Sequence, residues 1–119
     1  ENLLTALVDP WHPYPTVGER DKWTLLPDTL RKVYIERGEN ELEFEWPSLL
    51  ASRFLDYART GNRSRFQADR NQRRQALGHL VLAECMEGKG RFVDQIVNGV
   101  WATCEETYWG VPAHLGLQA

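Results

Sequence analysis

The chain lacks most of the features that would place it in a special class. No apolar run approaches the ~20 residues that a bilayer-spanning helix needs, so no membrane span is expected. No segment alternates apolar and polar residues strictly enough for a half-buried strand, and there is no internal repeat or low-complexity tract. Cysteine is scarce, only Cys85 and Cys104, and no Cys/His spacing fits a zinc site, so no metal is expected. Net charge is also small. At −3 with a pI near 5.6 it argues against a nucleic-acid coat, and no nucleic acid is expected as partner. The opening ENLLTALVDPWHPYP shows neither an initiating Met nor the basic start of a signal peptide.

What is present is ordinary for a globular protein: 42% hydrophobic and 26% charged residues, which argues against disorder. The 119 residues fit one domain or a piece of one. LGLQA follows His114 without a cap or terminal helix, so the expectation is a single helical segment, 1–119, of a longer protein. Such a segment is expected to leave an apolar face for the missing part to cover. Cys85 and Cys104 fall within helical periodicity beside apolar residues. Buried free thiols are the first reading, and a disulfide stays open if their helices pack side by side. NRS at 62–64 fits a glycosylation sequon, which matters only in a eukaryotic secretory setting.

Along the chain, residues 1–15 hold Pro10, Pro13 and Pro15 and read as an extended lead-in that docks through Trp11 and Tyr14. Thr16 with Glu19 forms a capping box for a short helix reaching Trp23 to Leu26. Pro27 suits the first turn of a second helix that carries Leu30, Val33 and Tyr34 and fades near Gly38. Pro47 is expected to open a third helix with Leu50, Phe54, Tyr57 and Ala58 on one face, ended by TGN at 60–62. The fourth and longest starts near Ser64 and runs to a Gly88–Gly90 break. The fifth puts Phe92, Ile96, Val97, Val100, Trp101 and Cys104 on one stripe and ends at Gly110. The fold class is therefore all-α, with short breaks that imply antiparallel helical hairpins.

Several groups could carry chemistry. Glu105 and Glu106 sit at the C-terminus of the fifth helix, where the macrodipole opposes negative charge by about 0.3–1 kcal/mol at an exposed site. They are either a solvated acidic end or carboxylates held by Arg or by sugar hydroxyls. Beside them stand Tyr108, Trp109 and His114 on a Gly/Pro-punctuated stretch, WGVPAHLG. Trp109 or His114 taken alone reads as packing. Together on a loop they suit a carbohydrate: the ring stacks on the sugar and polar groups read its hydroxyls. Glu84 interrupts LVLAEC and needs a partner, for which the arginines ahead of it are the expected source. Those arginines, in GNRSRFQADRNQRR and including Arg63, read as a solvated face, as anchors for an anionic polysaccharide, or third as nucleic-acid contacts.

Three stretches together carry a resemblance: WHPYPTVGERDKW at 11–23, FLDYARTGNRSRF at 54–66, and LGHLVLAECMEGKGRFVDQIVNGVWATCEETYWGVPAHLG at 77–116. They resemble the early part of heparinase II/III-like proteins, polysaccharide lyases built on an incomplete α/α toroid. Its most specific part is the helix, Gly break, helix and terminal W-G-x-P-A-H. The resemblance implies the first hairpins of such a toroid, continued by the rest of the toroid and a β-rich domain. It implies a periplasmic or secreted protein acting on an anionic, uronic-acid polysaccharide. Such lyases remove the proton α to the uronate carboxyl and eliminate the 4-linked sugar, with Asn or Arg neutralising the carboxyl and Tyr or His moving the proton. No metal or cofactor is implied. The family's catalytic Asn, Tyr and His lie further along, so no catalytic residue is expected here. His114 matches the W-G-x-P-A-H motif and is expected in the substrate groove, with Trp109, Tyr108, Glu105, Glu106 and Arg63 as further substrate contacts. The rival expectations are a non-catalytic carbohydrate-binding domain and a helical protein-interaction module.

Overall fold

The computed structural model describes residues 12–116, and the secondary structure among them is all helical. Helix α1 spans Arg20–Thr24, α2 Asp28–Glu39, α3 Ala51–Thr60, α4 Ser64–Glu87 and α5 Val93–Cys104, and a 3-10 turn follows at Pro112–His114. No described helix is long and apolar enough to cross a membrane. Of the lead-in, residues 1–11, with Trp11 and Pro10, lie outside the described residues, and Tyr14 is exposed.

The local signals act close to where the sequence puts them. The Glu19 carboxylate accepts from the Thr16 N–H at 2.7 Å, which is the acidic half of a capping box, although the first helical residue is Arg20. The Trp23 indole donates to the Thr16 carbonyl at 2.8 Å and ties the short helix to its entry turn. Gly61 and Gly88 end α3 and α4 in the left-handed region, at φ 75° and 69°. Beyond Gly88, Arg20 donates to the Cys85 and Met86 carbonyls, placing a cation on the negative end of the α4 dipole.

Helix α4 is the axis. Residue pairs across the α4–α5 seam run in opposite directions: Glu84 meets Phe92, Leu77 meets Gly99, and Arg73 meets Ala102. The same holds for α2 against α4, where Arg31 reaches Met86, Gly38 abuts Ala83 and Glu41 bonds His79. Phe54 on Phe66 and Arg65 on Asp56 set α3 antiparallel to the first half of α4. The buried centre is Leu80, Ala83 and Phe92, with Ile35, Leu42, Trp46 and Ile96 packed around it. Burial of Phe92 or Leu80 stabilises by about 1.5–3 kcal/mol each. Gly38 permits the close approach, since a Cβ there would sit 2.2 Å from the Ala83 Cβ.

Several expectations are corrected. Pro47 does not open a helix; α3 starts at Ala51, and Leu50 is still extended. The preceding chain is committed elsewhere. Trp46 seats its ring over Gly99 and donates its indole N–H to Gln95 at 3.0 Å, and a residue before proline is already biased away from helix. Helix α5 ends at Cys104, well before Gly110. Its last carbonyls are taken by other donors: Ala102 by Arg73, and Thr103 by Glu106 N–H and the Trp109 indole.

The α5 stripe is not buried as a unit. Phe92 is buried and Ile96 partly so, but Val97, Val100 and Trp101 are 55%, 48% and 67% exposed, because Gly99 turns the narrow side of the helix toward α4. Glu84 is buried yet pairs with no arginine. It accepts from the backbone N–H groups of Gly90 and Phe92, at 2.7 and 3.4 Å, and so holds the turn that leads into α5. Both cysteines are free; Cys85 is partly buried, and burial pushes its thiol pKa up, while Cys104 is exposed rather than buried.

Candidate functional site

The first half of α4 is an arginine rail. Arg63, Arg70 and Arg74 recur at i, i+7 and i+11, which places them along one side of the helix. Arg70 donates through Nε and Nη2 to the Trp109 carbonyl, at 3.1 and 2.6 Å. Arg74 grips Glu106 with both terminal nitrogens, at 2.7 and 2.5 Å, and also donates to Thr103 Oγ1. This fork is the geometry that makes Arg–carboxylate pairs strong, and the bonds to Glu106 hold the Arg74 pKa above its ordinary value. Arg73, itself buried, adds a third contact at 3.6 Å to Glu106, whose side chain is only 1% exposed. Of the two acids at the end of α5, then, one is an internal clip and the other, Glu105, is exposed.

The clips shape the chain beyond α5. Tyr108 turns edge-on to Phe54 at 5.8 Å, and Phe54 meets Phe66 in the same way at 5.2 Å. Gly110 makes room for that ring, because a Cβ there would lie 2.5 Å from the Tyr108 hydroxyl. Trp109 faces the other way. Its indole N–H donates to the Thr103 carbonyl at 3.0 Å and its own carbonyl is held by Arg70, yet the residue remains 60% exposed. The result is an aromatic plate fixed at two points and open to solvent.

Beside it lies a cleft of about 450 Å³ between Ser48–Leu49, α3 and the end of α5. Phe54, Phe66 and Tyr108 form its aromatic wall, and Arg73, Glu105 and Glu106 its polar side. Glu105, Glu106 and Tyr108 therefore meet in one place. Trp109 adjoins them in sequence but does not line the cleft, and neither do His114 and Arg63. His114 is exposed on the 3-10 turn that packs against α3, with Pro112 buried beneath it. Arg63 is exposed where α4 begins. Among the described residues no group of three His, Cys, Asp or Glu side chains is placed to hold a metal ion.

Neither a protein-family model nor a curated protein matches the chain.

Sequence reasoning overlooked Phe54, Phe66 and Ser48 as cleft residues and met Arg73 only as one of the arginines in the 61–74 stretch. Phe54 and Phe66 read as helix-face packing, and they also serve that purpose. A signal for the clip was nonetheless present. Adjacent arginines at 73 and 74 and adjacent acids at 105 and 106 sit on consecutive helices joined by a short break, which favours pairing across an antiparallel seam.

Chemically, the arrangement is suited to binding. Glu106 is charge-compensated by two guanidinium groups and enclosed, so it supports the loop. The groups left open to a ligand are the Trp109 face, the Glu105 carboxylate and the Tyr108 edge of the cleft.

Proposed function

We propose that this chain is a substrate-groove segment of a heparinase II/III-like polysaccharide lyase, contributing to the binding of a uronic-acid polymer rather than to the proton transfer. The observation that carries the carbohydrate part is Trp109, immobilised at its indole nitrogen and its carbonyl while most of its surface stays open. A rigid aromatic face that already has its hydrogen bond satisfied suits stacking on the apolar face of a sugar, with little ordering entropy left to lose. Glu105 and the exposed His114 provide polar groups on the same terminal stretch.

The toroid part draws on a different feature. Val93, Val97, Val100 and Trp101 form an exposed apolar strip along α5, the kind of face that a following helix of a larger helical domain would cover. The remainder of the toroid and a β-rich domain are its partners in this reading, and the protein works in the periplasm or outside the cell. The same strip also favours a second reading, a helical module that docks a protein partner.

The test is β-elimination by the protein that carries this segment, followed through the ultraviolet absorbance of unsaturated uronate. Heparan sulfate, hyaluronan, chondroitin and alginate form the panel. A rise with one of them supports the lyase and identifies the sugar. Binding without a rise moves the assignment to a carbohydrate-binding domain, and neither binding nor a rise rejects the carbohydrate reading. In an active protein His114→Ala is expected to lower turnover while stability stays within about 1 kcal/mol; loss of folding instead would make His114 a packing residue.

A further inference from the structure

We infer that an acidic sugar chain lies along the first half of α4, with one sugar stacked on Trp109 and a carboxylate or sulfate further along held by the guanidinium of Arg63. The inference rests on the reading of Trp109 as a sugar platform and adds the direction of the chain and the source of its charge selectivity.

The register of α4 carries it. Arg63, Gln67, Arg70 and Arg74 follow one another at i, i+4, i+7 and i+11 and share one side of the helix. Two of these cations are already committed, Arg70 to the Trp109 carbonyl and Arg74 to Glu106. The Trp109 main chain is thereby fixed at the level of Arg70, with its indole on the Thr103 carbonyl, and Arg63 stands two helical turns before Arg70 on the same side, about 10 Å at 1.5 Å per residue.

The acids nearest the α3–α4 turn are engaged by other arginines: Asp56 by Arg65 and Asp69 by Arg53. No acceptor for the Arg63 guanidinium is found among the described residues, and the residue is exposed. At the adjacent helix N-terminus the Ser64 and Arg65 N–H groups are already taken by Asn62 Oδ1, at 3.1 and 3.4 Å. An anion at this point is therefore received by the side chain, in the two-point geometry that guanidinium offers to carboxylate and sulfate. Gln67, partly buried between the two positions, offers an amide to the intervening hydroxyls. A general polyanion such as DNA fits less well: the whole chain is negative, and a single exposed indole with a local cation lacks the many phosphate contacts that duplex binding uses.

The experiment is calorimetric titration of the chain and of its Trp109→Ala, Arg63→Ala and Arg63→Lys variants. The probes are a uronic-acid polymer, the same polymer with its carboxyls reduced to alcohols, and a DNA duplex. Circular dichroism verifies that each variant is folded. Trp109→Ala is expected to abolish binding of both sugar polymers. Arg63→Ala is expected to weaken the acidic polymer roughly three- to tenfold, as loss of an exposed charge-assisted bond does, to lower its salt dependence, and to leave the neutral polymer unchanged. Arg63→Lys should restore only part of that loss.

An unchanged acidic-polymer affinity in Arg63→Ala, with binding lost in Trp109→Ala, overturns the inference and leaves the Trp109 platform standing. Unchanged binding in Trp109→Ala, or no sugar binding by the unaltered chain, overturns both. Equal binding of the DNA duplex with the same dependence on Arg63 replaces the sugar with a generic polyanion.

Discussion

Along α4 the C-terminal half is packed by apolar side chains against glycine, whereas the N-terminal half is clipped by arginines onto carbonyls and one enclosed carboxylate. At the first end, Leu80, Ala83 and Phe92 are fully buried and Gly38 brings α2 into contact. At the other end Arg70, Arg73 and Arg74 reach Trp109, Ala102 and Glu106. The two solutions do different work. Apolar packing gains free energy in proportion to the surface it hides, so it cannot hold a large aromatic in position and leave it exposed. Directional bonds to backbone carbonyls can. They fix the main chain around residue 109 while the indole stays open, at the cost of ordering three long side chains.

Phe92→Ala should have the largest effect on this contrast. It removes a fully buried ring from the apolar end and is expected to cost about 3–5 kcal/mol, read as a shift in urea midpoint. Next comes Glu106→Gln, which keeps the shape but leaves Arg73 and Arg74 without their carboxylate. Because Arg74 is partly exposed, a loss of about 2 kcal/mol is expected, below that of a fully buried pair. The Trp109 indole N–H should also exchange faster with solvent in that variant. If Glu106→Gln leaves both stability and exchange unchanged, the clip does not organise the site. Trp109→Ala should be smaller still in stability, within about 1 kcal/mol by thermal melting, since most of its surface gains nothing from folding.

The smallest effect belongs to the entry turn. Hydrogen bonds first from Lys22 and then from the Thr16 backbone hold the Glu19 carboxyl down at about 2, from 4.5. A carboxylate lowered on folding stabilises above its unfolded value and loses that contribution as pH falls through its folded value. The α1 turn should therefore loosen between pH 4.5 and 2. Carboxyl carbon shifts of Glu19 would follow it, and a midpoint near 4.5 would show that the Lys22 and Thr16 bonds are absent in solution.

The parts legible in the sequence are those governed by nearest neighbours. Gly61, Gly88 and Gly90 adopt positive φ where the breaks were expected, and the acidic half of the Thr16–Glu19 box forms. The misplaced boundaries have a common cause. Pro47 and Gly110 are genuine helix punctuators, but Trp46 is drawn onto Gly99 and the carbonyls of Ala102 and Thr103 are occupied by Arg73, Glu106 and Trp109. Contacts outside the regular helical ladder therefore decide where α3 begins and α5 ends. Periodicity likewise identified an apolar stripe on α5 without indicating which part faces α4, because a glycine has no hydrophobic signature and yet marks the contact side.

For the site, the residue types around 105–114 were visible in the sequence and their division of labour was not. The two acids are adjacent and chemically alike; only the antiparallel seam puts Glu106 between two guanidinium groups and leaves Glu105 in solvent. Trp109 and Tyr108 are likewise neighbours, with opposite fates. By itself the sequence determined the helical class and most of the breaks, since backbone preference and capping act over a few residues. The tertiary structure alone decided which charges are enclosed and which ring is exposed, because both depend on what stands opposite across a helix pair.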